Sequence, residues 1–210
     1  MVAIMTAINR PYGVPLDRKA LDLALLSLAG RLDENHADPV ELVVCGDSAL
    51  ILSGLMTRTT RDVDVVALIK QGVLCAPDPL PADLVRAVQE VAEDLNLPGT
   101  WLNNVPSRGE GGLFQMGLPA GFADRLHCIR YSDRLTVHFI HRTDQIHFKL
   151  YAAVDRGGYH ISDLKALAPS SEEIMQAARW AMTHDVSEGF VLVLKTLLRS
   201  IGYEDVADKL

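Results

Sequence analysis

Residues Glu41–Val66 read ELVVCGDSALILSGLMTRTTRDVDVV, and their order decides the fold. Leu42–Cys45 is an apolar run short enough to be a strand buried on both faces. Gly46 follows at once, and Asp47 and Ser48 open a helical segment, ALILSGL, that stops near Gly54. Met56–Arg61 is a polar, basic loop. Asp62–Ile69 then predicts a second strand, alternating in character at its start. A strand's period of two puts Asp62 and Asp64 on one face and turns Val63 and Val65 to the other.

Two carboxylates side by side repel each other unless a cation sits between them. Magnesium suits the position because it takes carboxylates and nucleotide phosphates together. Two solvated acids on an edge strand, with Arg61 as an ion-pair partner, would read the same way in sequence. Gly46, between strand and helix, lets backbone N–H groups approach a phosphate, and the Ser48 hydroxyl can donate to the same anion. The alternative is a plain turn with Asp47 as the helix cap. Turn and acid pair one short helix apart are more specific than either alone.

Outward from this stretch, residues 1–15 form an irregular lead-in punctuated by Pro11 and Gly13. Leu21, Leu25, Leu28 and Leu32 recur at helical spacing behind Asp17, a suitable N-cap. After a Pro-containing connection over 70–80, Pro81–Leu95 predicts an amphipathic helix with Leu84, Val88, Val91 and Leu95 on one face. Residues 96–124 read as short strands and loops around Trp101, Phe114 and Phe122. Leu126–Tyr131 and Leu135–His141 form a hairpin. Helices follow: one that Asp144 can cap, running through Val154, then Ile161–Leu167, a Ser-capped helix after Pro169 to about Met182, and a long one from Ser187 or Glu188 through Arg199. The pattern predicts an α/β (α+β) fold: a mixed sheet flanked by helices over 1–143, and a C-terminal helical cap over 144–210 packed on it.

The 210 residues, 49% hydrophobic and 22% charged, exclude general disorder. There is no signal-peptide pattern and no apolar run that would span a membrane, so no membrane partner is expected. Cys45, Cys75 and Cys128 are scattered without C-x-x-C spacing, which predicts free thiols and a reduced, cytoplasmic setting. The net charge of -7 disfavours a general nucleic-acid coat. Between Arg108 and Lys165, however, eight basic residues face six acidic ones, with five of the seven histidines, so a polyanion would meet that region first. No G-x-S-x-G elbow, Walker A sequence or helical histidine pair is present.

Gly46-Asp47-Ser48 followed by Asp62-Val63-Asp64 resembles the signature of the polymerase-β-type nucleotidyltransferase superfamily, G-[GS] and then D-h-D. The string Arg58–Asp64, with Phe148–Ala153, Arg156 and His160–Leu164 downstream, is similar to the AbiEii-like branch of toxin–antitoxin nucleotidyltransferases. The resemblance implies a nucleotidyltransferase-like fold and transfer of NMP from an NTP to RNA, such as tRNA, or to protein. A cognate antitoxin would be a partner. It implies that Asp62 and Asp64 hold Mg2+, that Gly46, Ser48 and Arg61 meet the nucleotide, that Lys149 meets the triphosphate, and that Asp163 completes the site or holds Lys149.

From the residues alone, Lys149 sits at the edge of the stripe Ile146, Leu150, Ala153, a poor place for a charge without a task, although snorkelling would also accommodate it. Asp163 also suits a helix's first turn for dipole reasons alone. The sequence departs from the family pattern twice. Asp47 replaces the second Gly or Ser, and Leu135–Ile140 offers no third carboxylate, only His138. These departures motivate an alternative, a catalytically inactive binding or regulatory protein on the same fold.

Overall fold

The computed structural model describes residues 15–210; the expected lead-in, Pro15 apart, lies outside them. Helix α1 (Arg18–Glu34) is capped by Asp17, whose carboxylate accepts from the Ala20 N–H at 2.9 Å. Strand β1 (Val40–Cys45) leads into the seven-residue α2 (Gly46–Leu52), and β2 (Val63–Lys70) returns antiparallel beside β1. A short β3 (Val73–Cys75) pairs with the far end of β2, inside the segment expected to be only a connection. After α3 (Ala82–Leu95), the two-residue β4 (Leu102–Asn103) runs parallel to the start of β2.

The turn Val105–Ser107 and α4 (Leu113–Met116) precede the hairpin of β5 (His127–Arg130) and β6 (Leu135–Phe139). Because β6 is parallel to β1, the six-stranded sheet is mixed, in the order β3-β2-β1-β6-β5 with β4 on the β2 edge. The fold is therefore the expected α/β arrangement. C-terminal helices α5 (Arg142–Arg156), α6 (Tyr159–Ala166), α7 (Ser171–His184), α8 (Glu188–Ser200) and α9 (Glu204–Ala207) complete it.

Each sheet face buries its own core. Leu42, Val44, Val63, Val65 and Val137 pack against Leu25, Leu28, Val88 and Val91 of α1 and α3. On the opposite face Val43, Cys45, Val66 and Ile140 meet Phe122 and Phe148. The register between β1 and β2 slips by one residue at Val43/Val44, so Val66 is left unpaired as a bulge and turns to the same core as the adjacent Ala67. Ser107, wholly buried, donates to the Val66 carbonyl at 2.7 Å and so satisfies a backbone group beside the bulge.

A third core joins Ile146, Leu150 and Ala153 of α5 to Leu164, Ile174, Ala178, Leu194 and Leu198, with Leu50 contributed by α2. Helix α5 thus lies between the sheet and the other C-terminal helices, and the expected boundary after residue 143 falls inside it. Its cap is His141, whose ring accepts from the Thr143 N–H. Asp144 is not the cap; it is fully buried against Arg125 at 2.5 Å. Helix α7 carries a full capping box, Ser170 with Glu173. Among the described residues, no helix is long and apolar enough to cross a membrane.

Candidate active site

The antiparallel pairing of β1 and β2 brings the end of the one beside the start of the other, with Cys45 opposite Asp64. On the other side Asn103 of β4 stands opposite Asp64. Val63 and Val65 enter the core under α1 and α3, so strand alternation turns Asp64 toward the α5 side, as the D-h-D spacing predicts. Gly46 has φ +71°, and a Cβ there would stand 3.0 Å from the Asp64 Oδ2. Any other residue would be strained and would crowd that carboxylate.

Beside this pair lies a closed set of four charges. Lys149 Nζ donates at 2.7 Å both to Asp47 Oδ1 and to Asp163 Oδ2. Arg58 reaches the same two acids, Asp47 at 2.5 Å and Asp163 through a two-pronged contact at 2.5 and 2.9 Å. Lys149 is 5% exposed and Asp163 1%, so this is a buried network closed across more than 100 residues of chain. Asp47 therefore meets cations at its place after Gly46, which answers the repulsion its carboxylate would otherwise exert on a phosphate.

The two groups of acids titrate in opposite directions. Burial pushes Asp64 up to about 7, with the charge of Asp62 adding to it and the Asn103 amide opposing. Asp62 is raised too, by burial and then by Asp47. At Asp47, burial is outweighed by Lys149 and Arg58, and its carboxyl lies below the usual range. Burial also works against the charge on Lys149, but Asp47 and Asp163 more than offset it and raise the ammonium's pKa.

Counted together, Asp47, Asp62, Asp64 and Asp163 face Lys149 and Arg58. With exposed Arg61 beside Asp62 counted as well, the one negative charge left over falls on the strand pair. Two half-buried carboxylates on one strand face, both raised by burial and by neighbouring acids, fit a hard divalent cation. Among the described residues no group of three or more His, Cys, Asp or Glu side chains is arranged around a metal. Magnesium commonly takes one or two carboxylates and completes its shell with water and substrate phosphates.

The structure gathers Gly46, Asp62, Asp64, Lys149 and Asp163 at this end of the sheet. Exposed Arg61 lowers Asp62 electrostatically. Ser48 is buried, and its hydroxyl donates to the Cys45 carbonyl at 3.3 Å, so that donor is engaged within the chain. His138, offered by the strand that lacks a third carboxylate, pairs with Glu41 at 2.8 Å as a satisfied structural histidine. Three further residues at the site did not stand out in the sequence. Arg58 was one basic residue in a basic loop, Asn103 reaches the site only through a two-residue strand, and Gln145 donates to the Gly46 carbonyl at 3.2 Å from inside α5.

Four buried side-chain polar atoms lack a partner among the described residues, and three of them, on Arg58, Gln145 and His160, adjoin this cluster. Such atoms are rare in folded proteins, and their grouping marks the place where the chain alone leaves hydrogen bonding incomplete.

A family model described as a nucleotidyltransferase of unknown function (DUF6036) matches residues 23–178. The chain belongs to this family. The matched region begins inside α1, ends inside α7 and includes every residue of the charged cluster. No curated protein and no solved structure matches the chain. Membership makes the chain a nucleotidyltransferase-family protein, in agreement with the resemblance carried by Gly46–Ser48 and Asp62–Asp64.

Proposed function

We propose that this chain is a magnesium-dependent nucleotidyltransferase that moves NMP from an NTP to a hydroxyl on RNA, with tRNA a natural acceptor, or on protein. The acceptor oxygen loses its proton and bonds to the α-phosphorus as the α–β phosphoanhydride breaks and pyrophosphate leaves. The observation that carries this reading is the juxtaposition of two unlike charge groups. A half-buried acid pair, Asp62 and Asp64, lies beside the network that holds Lys149 and Arg58. Asp62 and Asp64 would hold the metal, which supplies charge neutralisation at the transferring phosphoryl group and activation of the acceptor hydroxyl. Lys149 and Arg58 would take the remaining triphosphate charge, exchanging contacts with Asp47 for contacts with phosphate oxygens. Asp163 would keep Lys149 charged and aimed while this happens. Gly46 leaves room at Asp64 Oδ2 that a side chain would fill.

The AbiEii-like assignment, with a toxin's role, a cognate antitoxin and a cytoplasmic setting, is part of the same proposal. It rests on the Arg58–Asp64 string and on Lys149 and Asp163 falling together. The test is incorporation of labelled NTP into total RNA and protein with Mg2+ present. Transfer from at least one NTP is expected. Absence of transfer from all four, together with absence of any nucleotide-induced thermal shift, would refute it.

One observation favours a second reading. Every anion contact that Lys149 makes is already supplied by Asp47 and Asp163, as befits a fold kept for binding after chemistry was lost. The two readings separate on Asp62→Ala/Asp64→Ala. A folded double variant that keeps the cellular phenotype favours the inactive protein.

A further inference from the structure

A cavity of about 430 Å³ opens beside the network, between the loop after α2 and helix α6. Arg58 and Asp163 form the wall it shares with the charged cluster, and their mutual pairing leaves that wall electrically neutral. Leu55 and Met56 give it an apolar side, and Thr57 and Ser162 give it hydroxyls. Tyr159 and Ser162 are one helical turn apart on α6, so they share a face. The Tyr159 ring is 60% exposed although its centroid lies only 5.8 Å from Lys149 Nζ, and the ring of His160 backs it at 4.0 Å. Leu55, also at this cleft, is 43% exposed. Leu55 and Met56 thus line a neutral, hydroxyl-bearing cavity one guanidinium away from the cations, and Tyr159 stands exposed on α6 one helical turn before the cavity's Ser162.

We infer that this cavity seats the nucleoside end of the NTP, with the Tyr159 ring as a stacking surface and Thr57 and Ser162 reading the edge of the base or the ribose hydroxyls. The chemistry fits in three ways. A triphosphate brings several negative charges, which Lys149, Arg58 and a divalent cation would meet, whereas base and ribose are uncharged and are best placed against a neutral wall. A base has apolar faces and a polar edge, as this cavity has apolar and hydroxyl-bearing sides. An exposed aromatic beside a cationic groove is the usual arrangement for taking up a base by stacking. The inference rests on the nucleotidyl-transfer reading of the neighbouring cluster and adds to it where the specificity for one base would be decided.

The test is calorimetric titration of the full chain in Mg2+ with ATP, GTP, CTP and UTP, and in parallel with inorganic tripolyphosphate, which has the charges but no nucleoside. Three variants are compared with the parent: Ser162→Trp, which fills the cavity, Tyr159→Ala, which removes the ring, and Tyr159→Phe, which keeps it. Both altered positions are exposed, and a melting curve for each variant establishes that it is folded. For the preferred NTP, Kd is expected to rise roughly tenfold or more in Ser162→Trp and Tyr159→Ala and to recover in Tyr159→Phe. The Kd for tripolyphosphate should stay within about twofold in all three, because the phosphates are held elsewhere. Unchanged NTP affinity in both disruptive variants overturns the inference and leaves the transfer reading standing. Equal losses for NTP and tripolyphosphate also overturn it, since the residues would then serve the phosphates. A parent chain that binds neither compound refutes the transfer reading and this inference together.

Discussion

The two groups of carboxylates at this end of the sheet are chemically alike and physically opposite. Asp47 and Asp163 are locked between Lys149 and Arg58, with each acid reached by both cations at 2.5–2.9 Å. Asp62 and Asp64 are both raised, Asp64 by burial to about 7, and the exposed Arg61 offsets this only in part at Asp62. Burying an ion costs several kcal/mol unless its charge is offset, so a folded chain keeps such a pair only where something else repays it. The closed network keeps its charges without outside help. The strand pair asks for a ligand, and a divalent cation is the one its donors suit. Charge alone therefore divides the site into a self-sufficient half and an incomplete half.

If that division is right, the largest effect on chemistry should come from the incomplete half. Asp62→Ala/Asp64→Ala should lower labelled-NTP incorporation by about a thousandfold or more, because metal stabilisation of the transferring group is worth several kcal/mol. The same variant should melt at or above the parent's temperature without Mg2+, since it removes a repulsive pair. A fall in melting temperature would break the comparison.

The next largest effect is on stability and belongs to the closed half. Lys149→Met leaves buried Asp163 and half-buried Asp47 with only Arg58, and urea denaturation should show a loss of about 3–5 kcal/mol. A loss below about 1 kcal/mol would mean that the network is not the buried, mutually dependent set described here.

The third effect is a pH dependence of opposite sign in the two halves. In the folded chain Asp64 keeps its proton to about pH 7, whereas an unfolded carboxyl releases it near pH 4. Between those values the folded state binds more protons, so Asp64 makes stability fall as pH rises. Without Mg2+, Asp64→Asn should gain on the parent across this window by at most about 4 kcal/mol, and Mg2+ should shrink the gap. Asp47 lies below the usual range, so its contribution is present above that range and is lost as the pH falls through it. Asp47→Asn should accordingly cost stability at pH 7 and progressively less as the pH falls below the usual carboxylate range. A gap for Asp64→Asn that narrows from pH 4 to 7 would contradict the assignment.

The smallest effect sharpens the comparison. Asp47→Asn removes the acid that competes with phosphate for Lys149 and Arg58, and tripolyphosphate affinity should improve a few-fold, the scale of one partly exposed charge contact. Weaker binding would place Asp47 with the metal-holding half instead.

Where pattern is local, the sequence already reads as the structure. The strand–glycine–helix–strand order of 41–66, the alternation that sets Asp62 and Asp64 apart from Val63 and Val65, and the leucine spacing of α1 all follow from neighbours within a few residues. Features created by pairing at a distance were hidden. The three-residue β3 and two-residue β4 have too little length to show a period, yet β4 brings Asn103 opposite Asp64. Asp144 looks like a helix cap because its partner, Arg125, lies on another segment. Asp47 looked hostile to phosphate for the same reason: the cations that neutralise it are 11 and 102 residues away. Lys149 was legible, since a charge on an apolar stripe has to be answered by something.

The most direct test of the central claim is a crystal soaked with Mg2+ and a non-hydrolysable NTP. The account predicts a cation bridging the Asp62 and Asp64 carboxylates and a phosphate oxygen, with Lys149 Nζ moved from Asp47 onto the triphosphate. A nucleotide bound with no cation at Asp62 and Asp64, or with the Lys149–Asp47 contact intact, would contradict it.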